Sequence, residues 1–478
     1  MLALTLVAEI DVGVRRAGFL GRFMLVVVAV AAFSFTLWVY TLEPYVYGID
    51  GPYYLVQYLS LRDRLELEYP DPPLVFLLLY PFERVTDAFF GDPGFGLKVG
   101  VSFFTAVTAV LIYCVARRLL AGEVIVPALL ALTYVVWPQT LRLETDFIKN
   151  SVSFLFIVLL AYALINDSLG CRARAALGVV AAICASLTHV MGFALAWVAI
   201  ITYLTVLLIQ HRRDARSLVR DPALPALLAL VALTVATLAW PPLIGGDLRR
   251  FSEFLSAVGA RGLGGGFGHG LVKPSPNSRA SPSFACVEPA LYYGMMYLLA
   301  LTSLVTAILR KDLRLRYVAL LSAVALAVLN VPAYPAGWGF RLRLASCLFV
   351  PLALTAVTAG AGRRAVKFAH VFLGFFLAVA VLGASVAAHV LGPSLPPPAI
   401  DELKTLNHYV PKGSEVFVPH VGVRYWFEAL HYGEYVILKR PPPPGSGAYV
   451  VTTLRGPHPP PVARVVYEGR FFEVFKLP

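Results

Sequence analysis

A few polar side chains stand at the edges of long apolar blocks. Glu43 and Asp50 follow the first block, and Asp50 lies in the turn-prone stretch "YGIDGPYYL" (47–55). "RLETDFIKN" (142–150) places Arg142, Glu144, Asp146, Lys149 and Asn150 just before another block. His189 interrupts a long apolar run, and Arg341 ends the aromatic stretch "AYPAGWGFR" (333–341). An ionisable group at the edge of an apolar span costs roughly 2–3 kcal/mol to insert, so it has a partner or a task. Carboxylates here could accept protons, and guanidinium, ammonium and imidazole groups could hold anions.

Each residue also has a plainer reading. Asp50 before "PYYL" suits the N-cap of a helix. Asp146 could cap the span that follows it. His189 reads as a helix-end residue, and Arg341 as an interfacial anchor that snorkels. The Gly-rich run 262–270 follows no strand and lacks Gly-Lys-Ser/Thr, so neither nucleotide fingerprint applies.

The elements that must position these groups are apolar helices. The chain has 478 residues, of which 58% are hydrophobic and 14% charged, and its mean hydropathy is +0.73. A soluble chain would carry about a quarter charged residues. The apolar blocks run to roughly 17–25 residues, enough to cross a bilayer core of about 30 Å. About eleven spans fit, near 23–41, 99–116, 123–138, 151–165, 175–188, 190–209, 223–244, 288–309, 317–333, 342–360 and 368–391. The run 175–209 is too long for one span and is split at "LTHV".

The net charge of +12 does not indicate nucleic acid, because Arg and Lys punctuate apolar blocks instead of lining one face. Basic loops at 15–22, 117–118, 171–174, 211–220, 310–316 and 363–367 alternate with non-basic ones. With these loops cytoplasmic, the positive-inside rule is met at each. The N-terminus is then cytoplasmic in a multi-pass cell-membrane protein.

Four segments fall outside. Loop 42–98 holds an amphipathic helix from "PYYLVQYLSLRDRLEL", expected to lie in the membrane interface, a break at "YPDPPL" and a short apolar helix at 74–82 that reads as a second interfacial or re-entrant helix. Segment 138–150 is short, 245–287 is rich in Gly, Ser and Pro, and 333–341 is an aromatic turn. Only Cys286 of the five cysteines lies in an external loop, and no spacing suggests a disulfide framework or metal knuckle. After "GPSLPPP" (392–398) the composition changes. Residues 399–478 read as a small extracytoplasmic α/β domain, with a helix at 400–410 and strands near 414–420, 434–439, 448–454 and 471–477. The fold class is an all-α polytopic membrane bundle, residues 1–392, followed by that domain. Acids and bases at the outer ends of the spans suit a reaction between a lipid-borne substrate and a water-borne one.

The order of these features resembles the GT-C superfamily of polytopic glycosyltransferases. The resembling residues are an external acid followed by paired aromatics ("IDGPYYL"), a Pro-rich break into an apolar helix ("YPDPPLVFLLLYPF"), a span ending in "ARRLL", a span ending in Trp-Pro, and a further acid in "RLETDFIKN". The protein O-mannosyltransferase-like and aminoarabinose-transferase-like groups are the most similar in style. The resemblance is strongest over roughly residues 20–200 and continues through "SLTHVMGFAL" and "GFRLRLASCLFVPLAL".

It implies an inverting transfer of a sugar from a polyprenyl-phosphate donor to a protein, lipid or glycan acceptor outside the cytoplasm. Asp50 and Asp146 are then the catalytic acids. Glu144, Arg142, Lys149, His189 and Arg341 become candidates for substrate and phosphate binding. Asp50, Asp146 and His189 could hold a divalent metal ion. The family more often has two adjacent acids in the first loop, where this chain has Asp50 followed by Gly51. Other functions for such a chain are a lipid-linked saccharide flippase or transporter, oligosaccharyltransferase-like glycan transfer, and a scaffold working through its tail.

The topology has a direct check. Single cysteines placed at positions 50, 280 and 420 should all react with an impermeant maleimide from outside intact cells, and protection of any one overturns that part of the map.

Overall fold

The computed structural model describes residues 18–210, 221–239, 256, 289–332, 334, 336–443, 445–454, 456 and 463–478. The basic loop 211–220 and, except for position 256, the external loop 245–287 with Cys286 lie outside the described residues.

Helices in chain order are α1 (Phe19–Thr41), α2 (Asp50–Arg64), α3 (Leu74–Phe90), α4 (Pro93–Leu119), α5 (Ile125–Val136), α6 (Pro138–Asp146), α7 (Ile148–Ile165), α8 (Cys171–Thr188), α9 (Val190–Gln210) and α10 (Ala223–Ala239). There follow α11 (Pro289–Leu309), α12 (Leu313–Leu329), α13 (Ala336–Ala345), α14 (Phe349–Ala361), α15 (Arg363–Val390), α16 (Pro397–Lys404) and α17 (Val421–Leu430). Helices lie at all the expected spans, but 342–360 is divided between α13, a 3-10 turn (Ser346–Leu348) and α14, and residues 240–244 of the span 223–244 lie outside the described residues. Among the described residues, eight helical stretches are long and apolar enough to cross a membrane, and Ile125–Val136 and Ala223–Ala239 are shorter apolar helices. The chain is a mostly helical, multi-pass membrane protein with a small C-terminal sheet.

The chain forms two compact units. The first comprises Met1–Val39, Pro70–Val75 and Val101–Val390. Its central helix, α7, is apolar on every side ("IKNSVSFLFIVLLAYALI") and is buried along its whole length, as expected of a helix without a polar face. It packs on α8 and α9, and α9 packs on α12. The split at "LTHV" is realised at His189, whose extended backbone (φ −166°, ψ 150°) separates α8 from α9. Packing is close at Gly192. A Cβ there would lie 2.9 Å from the Ser153 Cβ of α7 and would collide with the Ala185 carbonyl of α8.

Local sequence sets the bends in this unit. Trp137 precedes Pro138 and is extended (φ −69°, ψ 123°), which ends α5 and starts α6 with Pro at its first position. Phe147 (φ −143°, ψ 55°) then divides α6 from α7. Segment 138–150, expected as a short loop, is therefore a short helix, a break and the first turn of a buried helix. Likewise the expected turn 333–341 is largely the start of α13.

The second unit comprises Tyr40–Tyr69, Phe76–Gly100 and Leu391–Pro478. Most of the first loop and the C-terminal segment thus belong to one compact unit. Helix α3 continues past the expected 74–82 to Phe90, with Pro81 inside it. It packs so closely on the start of α4 that a Cβ at Gly100 would approach Leu79 to 2.8 Å.

The C-terminal strands are β1 (Glu415–Phe417), β2 (Val436–Leu438), β3 (Tyr449–Thr453), β4 (Arg464–Glu468) and β5 (Phe472–Lys476). They form one sheet in the order β2-β1-β3-β5-β4. β1 pairs in parallel with β2 and β3, and β5 pairs antiparallel with β3 and β4. The parallel β1–β2 pair requires a crossover, and α17 supplies it. Sequence patterning missed α17, because the aromatic and β-branched "VGVRYWF" also suits a strand, and it missed the edge strand β4.

Gly192→Leu should lower the melting temperature in detergent, by an amount equivalent to about 1–3 kcal/mol of overpacking. Gly294→Leu should leave it nearly unchanged, since a Cβ there meets nothing within 4 Å.

Candidate active site

In the first unit, α6 places Arg142 and Asp146 one turn apart, so they share a face. Arg142 Nε lies 2.6 Å from Asp146 Oδ2. Burial pushes the Asp146 carboxyl up, against the pull of Arg142 and, at longer range, of Arg341. Asp146 does not cap α7. The N-cap of that helix is Phe147, with no side-chain bond.

Arg341 enters from α13, which packs on α6. Its guanidinium carbon stands 4.8 Å from the Phe147 ring centroid and 5.8 Å from that of Trp338. A planar guanidinium on an aromatic face loses little hydrogen-bonding capacity, because its donors lie in its own plane. A polar network supports this end of α13. Tyr292 Oη donates to Asn330 Oδ1 at 3.0 Å and lies 3.0 Å from Ser346 Oγ, while Arg343 Nη1 donates to Tyr293 Oη at 2.5 Å. The structure therefore brings Arg142, Asp146 and Arg341 together.

The other expected residues are held separately. Glu144 is buried and accepts a bond from Thr105 Oγ1 of α4. Lys149 Nζ lies 2.9 Å from Asp71 Oδ2, with side chains only 8% and 4% exposed, so this is a buried ion pair. Asn150, at the same end of α7, is buried and its Oδ1 has no hydrogen-bond partner. His189 behaves as a helix-end residue: its Nδ1 accepts the Met191 N–H at 3.1 Å. Among the described residues no group of three His, Cys, Asp or Glu side chains could hold a metal ion. Asp50 belongs to the second unit and Asp146 and His189 to the first.

In the second unit, Asp50 is the first residue of α2 and half-buried. The N-cap is Ile49, with no side-chain cap bond, so Asp50 is not the cap that its sequence context suggested. A carboxylate in this first turn is favoured by the helix dipole. Gly51 explains the missing second acid. A Cβ at that position would lie 2.8 Å from Val46 Cγ2, so no side chain fits. The turn before Asp50 is held by Lys98, whose Nζ donates to the carbonyls of Glu43 (2.7 Å) and Pro44 (3.1 Å).

Sequence reasoning missed Asp71, Lys98 and Thr105. Asp71 was read only as part of a Pro-rich break. An acid flanked by prolines between two apolar helices carried the signal, but its partner is 78 residues away.

No protein-family model matches the chain, and no curated protein matches it. Solved structures do. ArnT from Cupriavidus metallidurans bound to undecaprenyl phosphate aligns with 95% of this chain and 97% of its own, at 12% identity and TM-score 0.46. The same protein in the apo state gives 14% identity and TM-score 0.45. The arabinofuranosyltransferase AftD from Mycobacteria aligns with 90% of this chain and 35% of its own, at 16% identity and TM-score 0.51. The likeness to AftD is one of fold. This chain has the GT-C type of polytopic membrane architecture expected from its sequence, and it spans about a third of that transferase's length.

Asp71→Asn should destabilise the protein by about 3–5 kcal/mol, because it leaves a buried ammonium without its counter-charge. In detergent melts, Asp71→Leu combined with Lys149→Met should recover more than half of that loss. Equal losses in the single and double variants would show that the pair is not coupled.

Proposed function

We propose that this protein is an inverting membrane glycosyltransferase that moves a sugar from a polyprenyl-phosphate donor to an acceptor at the extracytoplasmic face. The observation that carries this reading is the Arg142–Asp146–Arg341 cluster. Two guanidiniums flank one carboxylate at a helix break, with one of them laid on aromatic rings. A departing lipid phosphate needs cationic donors, and guanidinium can grip its oxygens bidentately. The cluster also lies at helix ends, where a headgroup would be met, whereas transporters set polar groups near the bilayer midplane.

In this reading the acceptor hydroxyl oxygen attacks the anomeric carbon of the donor. The carbon–oxygen bond to phosphate breaks as the new bond forms, and its electron pair stays with the phosphate. The hydroxyl proton passes to the Asp50 carboxylate. One displacement inverts the anomeric centre. The phosphate is already a good leaving group, so a single positioned base suffices. Arg142 and Arg341 receive the charge that develops on the phosphate. Asp146 holds Arg142 in place and offsets part of the cationic charge while the site is empty. Lys149 is held by Asp71, so in this reading it is not a phosphate ligand.

The purified protein should transfer label from at least one member of a panel of radiolabelled polyprenyl-phosphate sugars. Asp50→Asn should lower that rate a hundredfold or more without changing the melting temperature. Arg341→Lys should weaken turnover while Asp50 stays intact. Asp50→Asn activity near that of the unaltered protein would remove Asp50 as the base.

A further inference from the structure

The second unit fastens the Asp50 turn to the C-terminal segment on both sides of the carboxylate. Upstream, Gly48 forms a backbone bridge with the start of that segment. Its N–H donates to the Gly392 carbonyl at 2.9 Å, and its carbonyl accepts the Ser394 N–H at 3.2 Å. Gly48 has φ +65°, a left-handed conformation that favours glycine. Tyr45 donates its hydroxyl to Asp401 and accepts from Lys404 Nζ at 2.7 Å. Its ring meets Trp426 edge-on at 5.8 Å, and Trp426 Nε1 donates to Ser394 Oγ at 3.0 Å.

Downstream, α2 packs on α17, and the Tyr53 ring lies 5.2 Å from that of Tyr425. Gln57 locks the end of the loop to α2. Its Nε2 donates to the Tyr69 carbonyl at 3.0 Å and to Tyr53 Oη at 2.9 Å, and its Oε1 accepts the Tyr69 N–H at 3.2 Å. Tyr69 then donates its hydroxyl to Glu428 of α17, a buried carboxyl that burial pushes up. Asp50 thus sits between two attachments, two residues from the first and within the helix secured by the second.

We infer that residues 391–478 are a positioning element for Asp50, with Ser394 and Glu428 as its positioning residues. The inference rests on the reading of Asp50 as the base. A displacement of about 1 Å at a reacting group can cost a hundredfold in rate, so a base on a loop needs rigid support. The C-terminal segment supplies backbone pairing, side-chain hydrogen bonds and ring contacts to the turn and the helix that flank Asp50.

Two variants break the attachments separately. Ser394→Pro removes the N–H that the Gly48 carbonyl accepts. Glu428→Ala removes the acceptor for Tyr69, while Glu428→Gln keeps one. Ser394→Pro and Glu428→Ala should each lower kcat tenfold or more, with KM for the polyprenyl-phosphate sugar and for the acceptor within twofold. Glu428→Gln should recover most of the loss. Lys412→Ala, which breaks an exposed ion pair with Glu434 elsewhere in the same domain, should match the unaltered protein. A second readout needs no turnover. In an Asp50→Cys background, Ser394→Pro and Glu428→Ala should change the alkylation rate of the peptide carrying residue 50 at least threefold.

A rise in acceptor KM with kcat unchanged would make the domain an acceptor-binding module and overturn the inference. So would unchanged kcat together with unchanged alkylation. If the unaltered protein transfers no sugar from any polyprenyl-phosphate donor, the functional reading fails, and the alkylation rates alone then decide whether the domain positions residue 50.

Discussion

An ionised side chain enclosed by an apolar helix bundle must have an opposite charge or a fixed set of hydrogen bonds beside it. Much of this structure follows from that constraint. Asp71 and Lys149 meet as a buried pair, and Arg142 and Asp146 close on each other across one helical turn. Lys98 is surrounded by backbone carbonyls and lies 5.8 Å from the Tyr47 ring centroid. Such pairs add little net stability over apolar replacements, but removing one partner is costly. They therefore fix geometry more than they add stability, and they fix it where the chain bends: at the Pro-rich segment 70–75, at Phe147 and at the turn after α1.

The same constraint separates residues that sequence proximity groups together. "RLETDFIKN" reads as one polar cluster, yet its charges go to three destinations. Arg142 and Asp146 pair with each other, Glu144 meets Thr105, and Lys149 meets Asp71. The break at Phe147 does the sorting. It places Asp146 at the end of one helix and Lys149 in the first turn of another that is buried on all sides. Only the first pair remains beside the aromatic-backed Arg341.

The second unit solves a different problem. A loop of some fifty residues between two spans pays heavily in conformational entropy if it is ordered by itself. Here it is ordered against the C-terminal segment. The tyrosines of the amphipathic stripe, Tyr54 and Tyr58, and their neighbour Tyr53 are each 6% exposed or less. The stripe serves protein packing, and the polar ends of these side chains reach Gln57, Asp87 and, through Tyr69, Glu428.

The sequence by itself determined the helical membrane class, the approximate position of most spans, the break at "LTHV" and the sheet-bearing tail, because each is set by local hydropathy, local breakers or a period of two. It also named Arg142, Asp146 and Arg341, since charge among apolar residues is conspicuous in one dimension. Only the tertiary structure decided who pairs with whom. Asp71 with Lys149, Thr105 with Glu144 and Tyr69 with Glu428 are 78, 39 and 359 residues apart. No local pattern encodes such distances, and the packing of whole helices is what selects the partner. For the same reason, helix propensity could not show that α2 and its aspartate fold against the far end of the chain.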